Sequence, residues 1–301
     1  MGMITGNSAG TLGSTTIETA TQSASQHNLP EEPLVVIEPS RGVKIGLGDL
    51  WTYHELLYFL TWRDIKVRYK QTLLGVSWAI LQPVFMMLIF TLFFGNLAKL
   101  PSDGVPYPLF AYAGLLPWTF FATAVSSSGN SMLNSAHLIT KVYFPRIVVP
   151  VAAVAAALVD FLISCGVLVV IMIYYQVTPT IHLLLLPVYT LLLLLLTAAF
   201  GIYTAALNVK YRDIRFVLPF VIQLWFFVSP VIYPVGMVTG RWRFLIVLNP
   251  MTGIIEGFRS ALFGRASNWS LIGVSAAITL VLLAYSLFTF KRMEKSFADI
   301  I

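Results

Sequence analysis

Charge is what this sequence holds least of. Asp, Glu, Lys and Arg supply 11% of its 301 residues, against roughly a quarter in a soluble domain, while 57% of the chain is hydrophobic. Such a chain is suited to lipid rather than to water. Cysteine is nearly absent: Cys165 stands alone inside an apolar run. That excludes a disulfide framework or a cysteine metal cluster, so no metal site is expected and Cys165 reads as a small buried apolar residue. No G-x-x-x-x-G-K-[ST] phosphate loop occurs, so the chain does not cradle ATP by that route. The carboxylates Asp49, Glu55, Asp64, Asp103, Asp160, Asp213 and Glu256 are scattered rather than grouped as acid and base. No catalytic residue is therefore expected. The net charge of +6 sits in short basic groups between apolar runs, not in one patch, which argues against a nucleic-acid partner.

What is there is a set of long uncharged intervals. A hydrocarbon layer about 30 Å thick needs roughly 20 helical residues. Intervals of that kind predict six membrane-spanning helices near residues 78–95, 107–128, 147–175, 183–207, 216–233 and 271–290. Before them, residues 1–45 are rich in Ser, Thr, Gly, Ala and Gln and then in Pro, and read as a disordered cytoplasmic tail. Arg63, Lys66, Arg68 and Lys70, then Lys141 and Arg146, Lys210, Arg212 and Arg215, and Lys291, Arg292 and Lys295 mark one side of the spans. The other side holds Lys99, Arg241, Arg243, Arg259 and Arg265. The excess predicts that both termini are cytoplasmic. Between the fifth and sixth spans, residues 244–248 and 251–262 are apolar, too short to cross, and hinged at Pro250, Gly253 and Gly257. They read as a re-entrant helical pair.

Residues 50–70 begin aromatic and aliphatic and end basic, the composition of an amphipathic helix in the headgroup plane. Its run Trp62-Arg63-Asp64-Ile65-Lys66-Val67-Arg68-Tyr69-Lys70-Gln71-Thr72, with Leu74-Gly75 and the stretch 78–83 behind it, resembles the entry segment of ABC-2 type permeases that export O-antigen, teichoic acid and capsule. Further similar motifs follow in order: Lys141-Val142-Tyr143-Phe144-Pro145-Arg146, Leu158-Val159-Asp160-Phe161, Lys210-Tyr211-Arg212-Asp213-Ile214, Ser229-Pro230-Val231-Ile232-Tyr233-Pro234, and Asn249-Pro250-Met251 with Glu256 and Arg259. The resemblance covers residues 50–295 and leaves the tail aside.

It implies an all-α integral membrane protein whose residues 46–301 form one transmembrane domain of a plasma-membrane (inner-membrane) exporter. It also implies a second copy of the chain and two separate nucleotide-binding subunits, which would carry ATP and Mg. The cargo implied is a lipid-linked glycan of O-antigen type; an ABC-2 exporter of drugs or small lipids is the alternative. Coupling to the ATPase is expected at Asn134, His137, Lys141, Tyr143 and Arg146, and at Tyr211, Arg212 and Asp213, where a carboxylate beside cations invites a local ion pair. Arg63, Lys66, Arg68 and Tyr69 would form the entrance, the cations receiving a phosphate-bearing lipid head. Tyr112, Trp118, Phe121, Trp225 and Tyr233 are candidates to line the channel, because ring faces take sugar C–H surfaces without one fixed hydrogen-bond pattern. Asp160, deep in the third span, is open to two readings: proton coupling or substrate contact, or a paired structural role. Glu256 and Arg259 are spaced to pair on one helical face.

Overall fold

The computed structural model describes residues 52–70, 77–294 and 297. The tail at 1–45 and the entry-motif residues Gln71, Thr72, Leu74 and Gly75 lie outside them. All described secondary structure is helical. Helix α1 is His54–Lys70 and α2 is Ser77–Phe90, which runs on as a π-helix, Thr91–Leu97. Then come α3 (Tyr107–Asn134), α4 (Ala136–Lys141), α5 (Val148–Tyr174), a 3₁₀ turn Ile181–Leu185 leading into α6 (Leu186–Lys210), and α7 (Ile214–Val228). Two short helices, α8 (Trp242–Leu248) and α9 (Pro250–Phe263), precede α10 (Trp269–Glu294).

Five segments are long and apolar enough to cross a membrane: Ser77–Leu97, Tyr107–Asn134, Val148–Tyr174, Ile181–Lys210 and Trp269–Glu294. Helices answer that environment because every backbone N–H and C=O is bonded within the segment. The fifth expected span differs. As a helix it is Ile214–Val228, 15 residues, about 22 Å long at 1.5 Å per residue, and so too short to cross alone. It stops because Ser229 turns extended (ψ 143), and the backbone from Pro230 to Tyr233 is held by side chains instead of by helical bonds.

Helix α3 is the axis of the bundle: 78% of its apolar window is buried, against 17–33% for the other four. It packs against α2, α5, α6, α7 and α9. Its Asn134 end lies beside the end of α6, where Asn208 donates to the Gly129 carbonyl at 2.9 Å and to Asn130 at 3.1 Å. Arg146, before α5, bonds Glu294 at the end of α10. We call this the basal end. Tyr189 and Ser267 meet at the opposite end at 2.8 Å, where Asp103 and Arg265 pair at 3.3 Å.

Helix α9 is bounded by signals readable in the sequence. The Asn249 side chain accepts from the Met251 amide at 3.0 Å, Pro250 occupies the first turn, and Gly264 closes the helix at φ 67, a conformation glycine adopts without a Cβ penalty.

Candidate functional site

The basal end is built by α1. Leu60 is buried in a cluster with Met132, Ile147, Val148 and Ala152, which seats α1 along the first half of α5. One and then two turns further on, the same register carries Arg63 to Ser135 (3.2 Å) and Arg68 to Ser127 (3.3 Å). Arg68 also forms an ion pair with Asp160, and the Tyr69 hydroxyl donates to the other Asp160 oxygen. Burial first, and the bond to Asp160 second, push the Tyr69 phenol above its ordinary range, so it remains a donor. The carboxylate inside the apolar α5 is thus neutralised by a cation and a hydroxyl, as its position demands. The four residues expected at the entrance divide. Arg68 and Tyr69 point inward, and Arg63 pairs with Asp64 at 2.8 Å. Lys66 stays exposed, 5.4 Å over the Trp62 ring.

Three adjoining cavities rise from this point along α3. The first, about 540 Å³, is lined by Arg63, Asp64, Arg68, Ser127, Ser131, Asn134 and Ser135. The second, about 350 Å³, shares Arg68 and Ser127 with it and adds Tyr69, Gln82, Thr119, Thr123 and Asp160. The third, about 730 Å³, shares Gln82, Thr119 and Thr123 with the second, and is walled by Trp118, Phe90, Phe93, Phe94, Phe226, Phe227 and Ile232. Ser135, at the C-cap of α3, and Ser131, Ser127, Thr123 and Thr119 recur every four residues, so each hydroxyl lies near the next while the row, turning about 40° per step, winds round the helix over about 24 Å. This stripe was legible in the spacing, yet sequence reasoning that weighs charges and aromatic rings passes over it.

The channel-lining candidates do not stay together. Tyr112 is wholly buried and donates to the Ser164 carbonyl at 3.0 Å. Phe121 is wholly buried, its ring centroid 5.2 Å from that of Trp225 and 5.7 Å from that of Phe200. Neither faces an opening in this chain. Trp225 spends its indole N–H on Asn249 at 3.0 Å, and Tyr233 reaches the Phe227 and Val228 carbonyls at 3.4 Å. Trp118 lines the third cavity, beside Phe226 at 5.4 Å between ring centroids. Aromatic content along a helix carries no phase, so composition cannot separate inner rings from packed ones.

At the far end the expected Glu256–Arg259 ion pair is not formed. Arg259, 3% exposed, instead donates to the Pro230 carbonyl at 2.7 Å and the Val231 carbonyl at 2.6 Å, with longer contacts to Tyr233 and Phe110. Its guanidinium lies 3.7 Å from the Phe110 ring centroid. The Tyr107 hydroxyl takes the Ile232 carbonyl at 3.0 Å. Consecutive carbonyls after α7 are thereby satisfied by α9 and α3, the condition under which non-helical backbone is tolerated at membrane depth. Room for the guanidinium depends on Gly114: a Cβ there would meet Arg259 Nη2 at 2.6 Å and the Val231 oxygen at 2.8 Å.

The coupling candidates lie at the basal end. Asn134, His137, Lys141 and Tyr143 are exposed, Tyr143 to 90%. Arg146 is not free: its amide and guanidinium are committed to Glu294. Tyr211, Arg212 and Asp213 are exposed. No ion pair forms among them; Lys210 sits 5.1 Å over the Tyr211 ring instead.

The profile of the family described as ABC-2 type transporter matches residues 55–263, which includes α1, the cavity walls and the Arg259 clamp. An O-antigen export system permease protein RfbA from Myxococcus xanthus is 32% identical over 83% of this chain and 97% of its own length. A protein of the same name from Klebsiella pneumoniae is 28% identical over 86% of this chain and 98% of its own. The polysialic acid transport protein KpsM of Escherichia coli is 25% identical over 78% and 92%. With the family profile spanning most of the folded helices and a near full-length relative at this identity, the chain belongs to the ABC-2 type transporter family.

Proposed function

We infer that this chain is the channel-forming membrane subunit of an ATP-driven exporter of lipid-linked polysaccharide, of O-antigen type. The observation that carries the reading is the series of cavities from Arg68 and Asp160 to the aromatic groove at Trp118 and Phe226. A basic entrance, a hydroxyl-bearing wall and ring faces in succession suit a cargo with an anionic head and a sugar chain. Relatives named for O-antigen and polysialic acid favour a glycan over drugs or small lipids.

In this reading residues 46–301 form the transmembrane domain behind a cytoplasmic tail, both termini are cytoplasmic, and the protein resides in the inner (plasma) membrane. The sixth crossing is α7 completed by the extended stretch 229–234, and α8 with α9 re-enters from the far side. In the same reading two separate nucleotide-binding subunits carry ATP and Mg²⁺, which agrees with the lack of a phosphate loop in this sequence. They engage α4 and the exposed Lys141, Tyr143, Tyr211 and Arg212, and a second copy of the chain completes the conduit. A short helix wedged into a partner passes rigid-body motion to the spans that it joins.

Two experiments test this. Co-expression with the nucleotide-binding ATPase proposed as its partner should yield a complex with two copies of each; failure to associate refutes the assignment. Arg68→Glu should abolish surface display of polysaccharide in a permease-deletion strain while membrane insertion persists. Undiminished display would remove Arg68 from the entrance.

A further inference from the structure

We propose that the third cavity holds a binding station for neutral, hydroxyl-rich sugar residues, formed by Gln82 of α2, Thr123 and Ser126 of α3 and Gln223 of α7 against the ring of Trp118. The inference rests on the exporter reading and names what the conduit grips beyond the anionic head.

These four polar side chains come from three helices and line one groove. None of the four makes a side-chain hydrogen bond among the described residues, whereas Thr119, next to them, is satisfied by the Leu116 carbonyl. Gln82, Thr123 and Gln223 are exposed toward the opening. An amide left unpaired against hydrocarbon costs several kcal/mol, so this face does not meet lipid; inside a conduit completed by a second copy it meets water or a polar ligand. The volume of about 730 Å³ falls within the roughly 300–1,000 Å³ of sites that enclose small ligands.

The lining carries no Asp, Glu, Lys or Arg, so its ligand is uncharged. A primary amide offers two donors and an acceptor side by side, which matches adjacent sugar hydroxyls. Trp118 supplies the apolar face for the C–H side of the ring. Gln82 also lines the second cavity with Arg68, so the order along the path is fixed: anion at Arg68, first sugar at Gln82, following sugars toward Gln223. The wall recognises hydroxyl groups as a class and does not demand one sugar.

The test uses the whole complex with its ATPase in detergent. The probe is neutral oligosaccharide cut from the surface polysaccharide of the source cell, read by tryptophan fluorescence. Wild type should give saturable quenching that inorganic pyrophosphate does not compete away. The isosteric Gln82→Met/Gln223→Met should weaken binding at least about tenfold, the loss expected from one or two hydrogen bonds, and reduce surface glycan to match. Gln82→Asn should recover part of both. Gln82→Met and Thr123→Val singly give the same comparison if the double variant does not assemble. Wild-type binding and export in these variants overturn the station alone. A wild-type chain that exports no glycan in the deletion strain overturns the exporter reading with it.

Discussion

Remove the Asp160 carboxylate and the junction of α1 with α5 loses its anchor. Arg68 and Asp160 keep side-chain exposures of 29% and 23%, so the pair is screened more than a fully buried one. Breaking a fully buried pair by deleting one partner costs 3–5 kcal/mol; with about a quarter of each group still wetted, about 1–2 kcal/mol is expected for Asp160→Asn. For a chain of this size that lowers the unfolding midpoint by about 3–6 °C, measurable by fluorescence-detected size-exclusion after heating in detergent. Tyr69→Phe removes one hydrogen bond to the same carboxylate and should cost about 1 kcal/mol. The decisive variant is Arg68→Met/Asp160→Leu. Replacing both charges by apolar groups leaves no charge unpaired and only the Tyr69 and Ser127 hydroxyls without their partners, so the double variant should recover part of the stability lost by Asp160→Asn, while the proposed entrance role of Arg68 requires that export is lost. If the double variant is as unstable as its two single changes added together, the groups are not coupled and the Arg68–Asp160 pair does not anchor α1 to α5.

Arg259→Met leaves the Pro230 and Val231 carbonyls without donors and should cost about 3 kcal/mol or more. Arg259→Lys should rescue little, since one ammonium cannot reproduce the planar fork; limited proteolysis within residues 229–240 reads the release. Gly114→Ala, which forces a methyl group against Arg259 and Val231, should destabilise by about 1–3 kcal/mol in the same thermal assay, and equal stability would mean the clamp yields. Tyr143→Ala should leave thermal stability within about 0.5 kcal/mol of wild type yet weaken capture of the ATPase in pull-down. Arg146→Ala, which loses the guanidinium bond to the Glu294 carbonyl, should lower stability instead.

Helix positions were readable because lipid imposes a coarse rule. Uncharged intervals gave spans near 107–128 and 183–207 where α3 and α6 stand, and the caps at Asn249 and Gly264 bounded α9. Pairing was not readable. Glu256 and Arg259 stand three apart on one helix, the spacing of a local ion pair. The guanidinium is nevertheless claimed by carbonyls almost thirty residues upstream, because an unbonded carbonyl at that depth costs more than an unmade surface-type ion pair yields. Asp160 illustrates the reverse. Its partner sits 92 residues away, beyond any local rule, but the need for a partner followed from its place in an apolar helix.

Arg68 and Arg259 are therefore one phenomenon. Each stands where the helical solution to membrane burial fails. Arg68 answers a carboxylate that α5 cannot neutralise by itself, and Arg259 answers the carbonyls exposed when α7 ends after 15 residues. The unmet groups in the third cavity complete the argument. Gln82, Thr123 and Gln223 are also polar, and among the described residues no arginine or backbone group answers them. Among the described residues nearly every buried polar side-chain atom is satisfied within the chain, whereas these three side chains are exposed on one groove, which is where the proposed sugar would meet them.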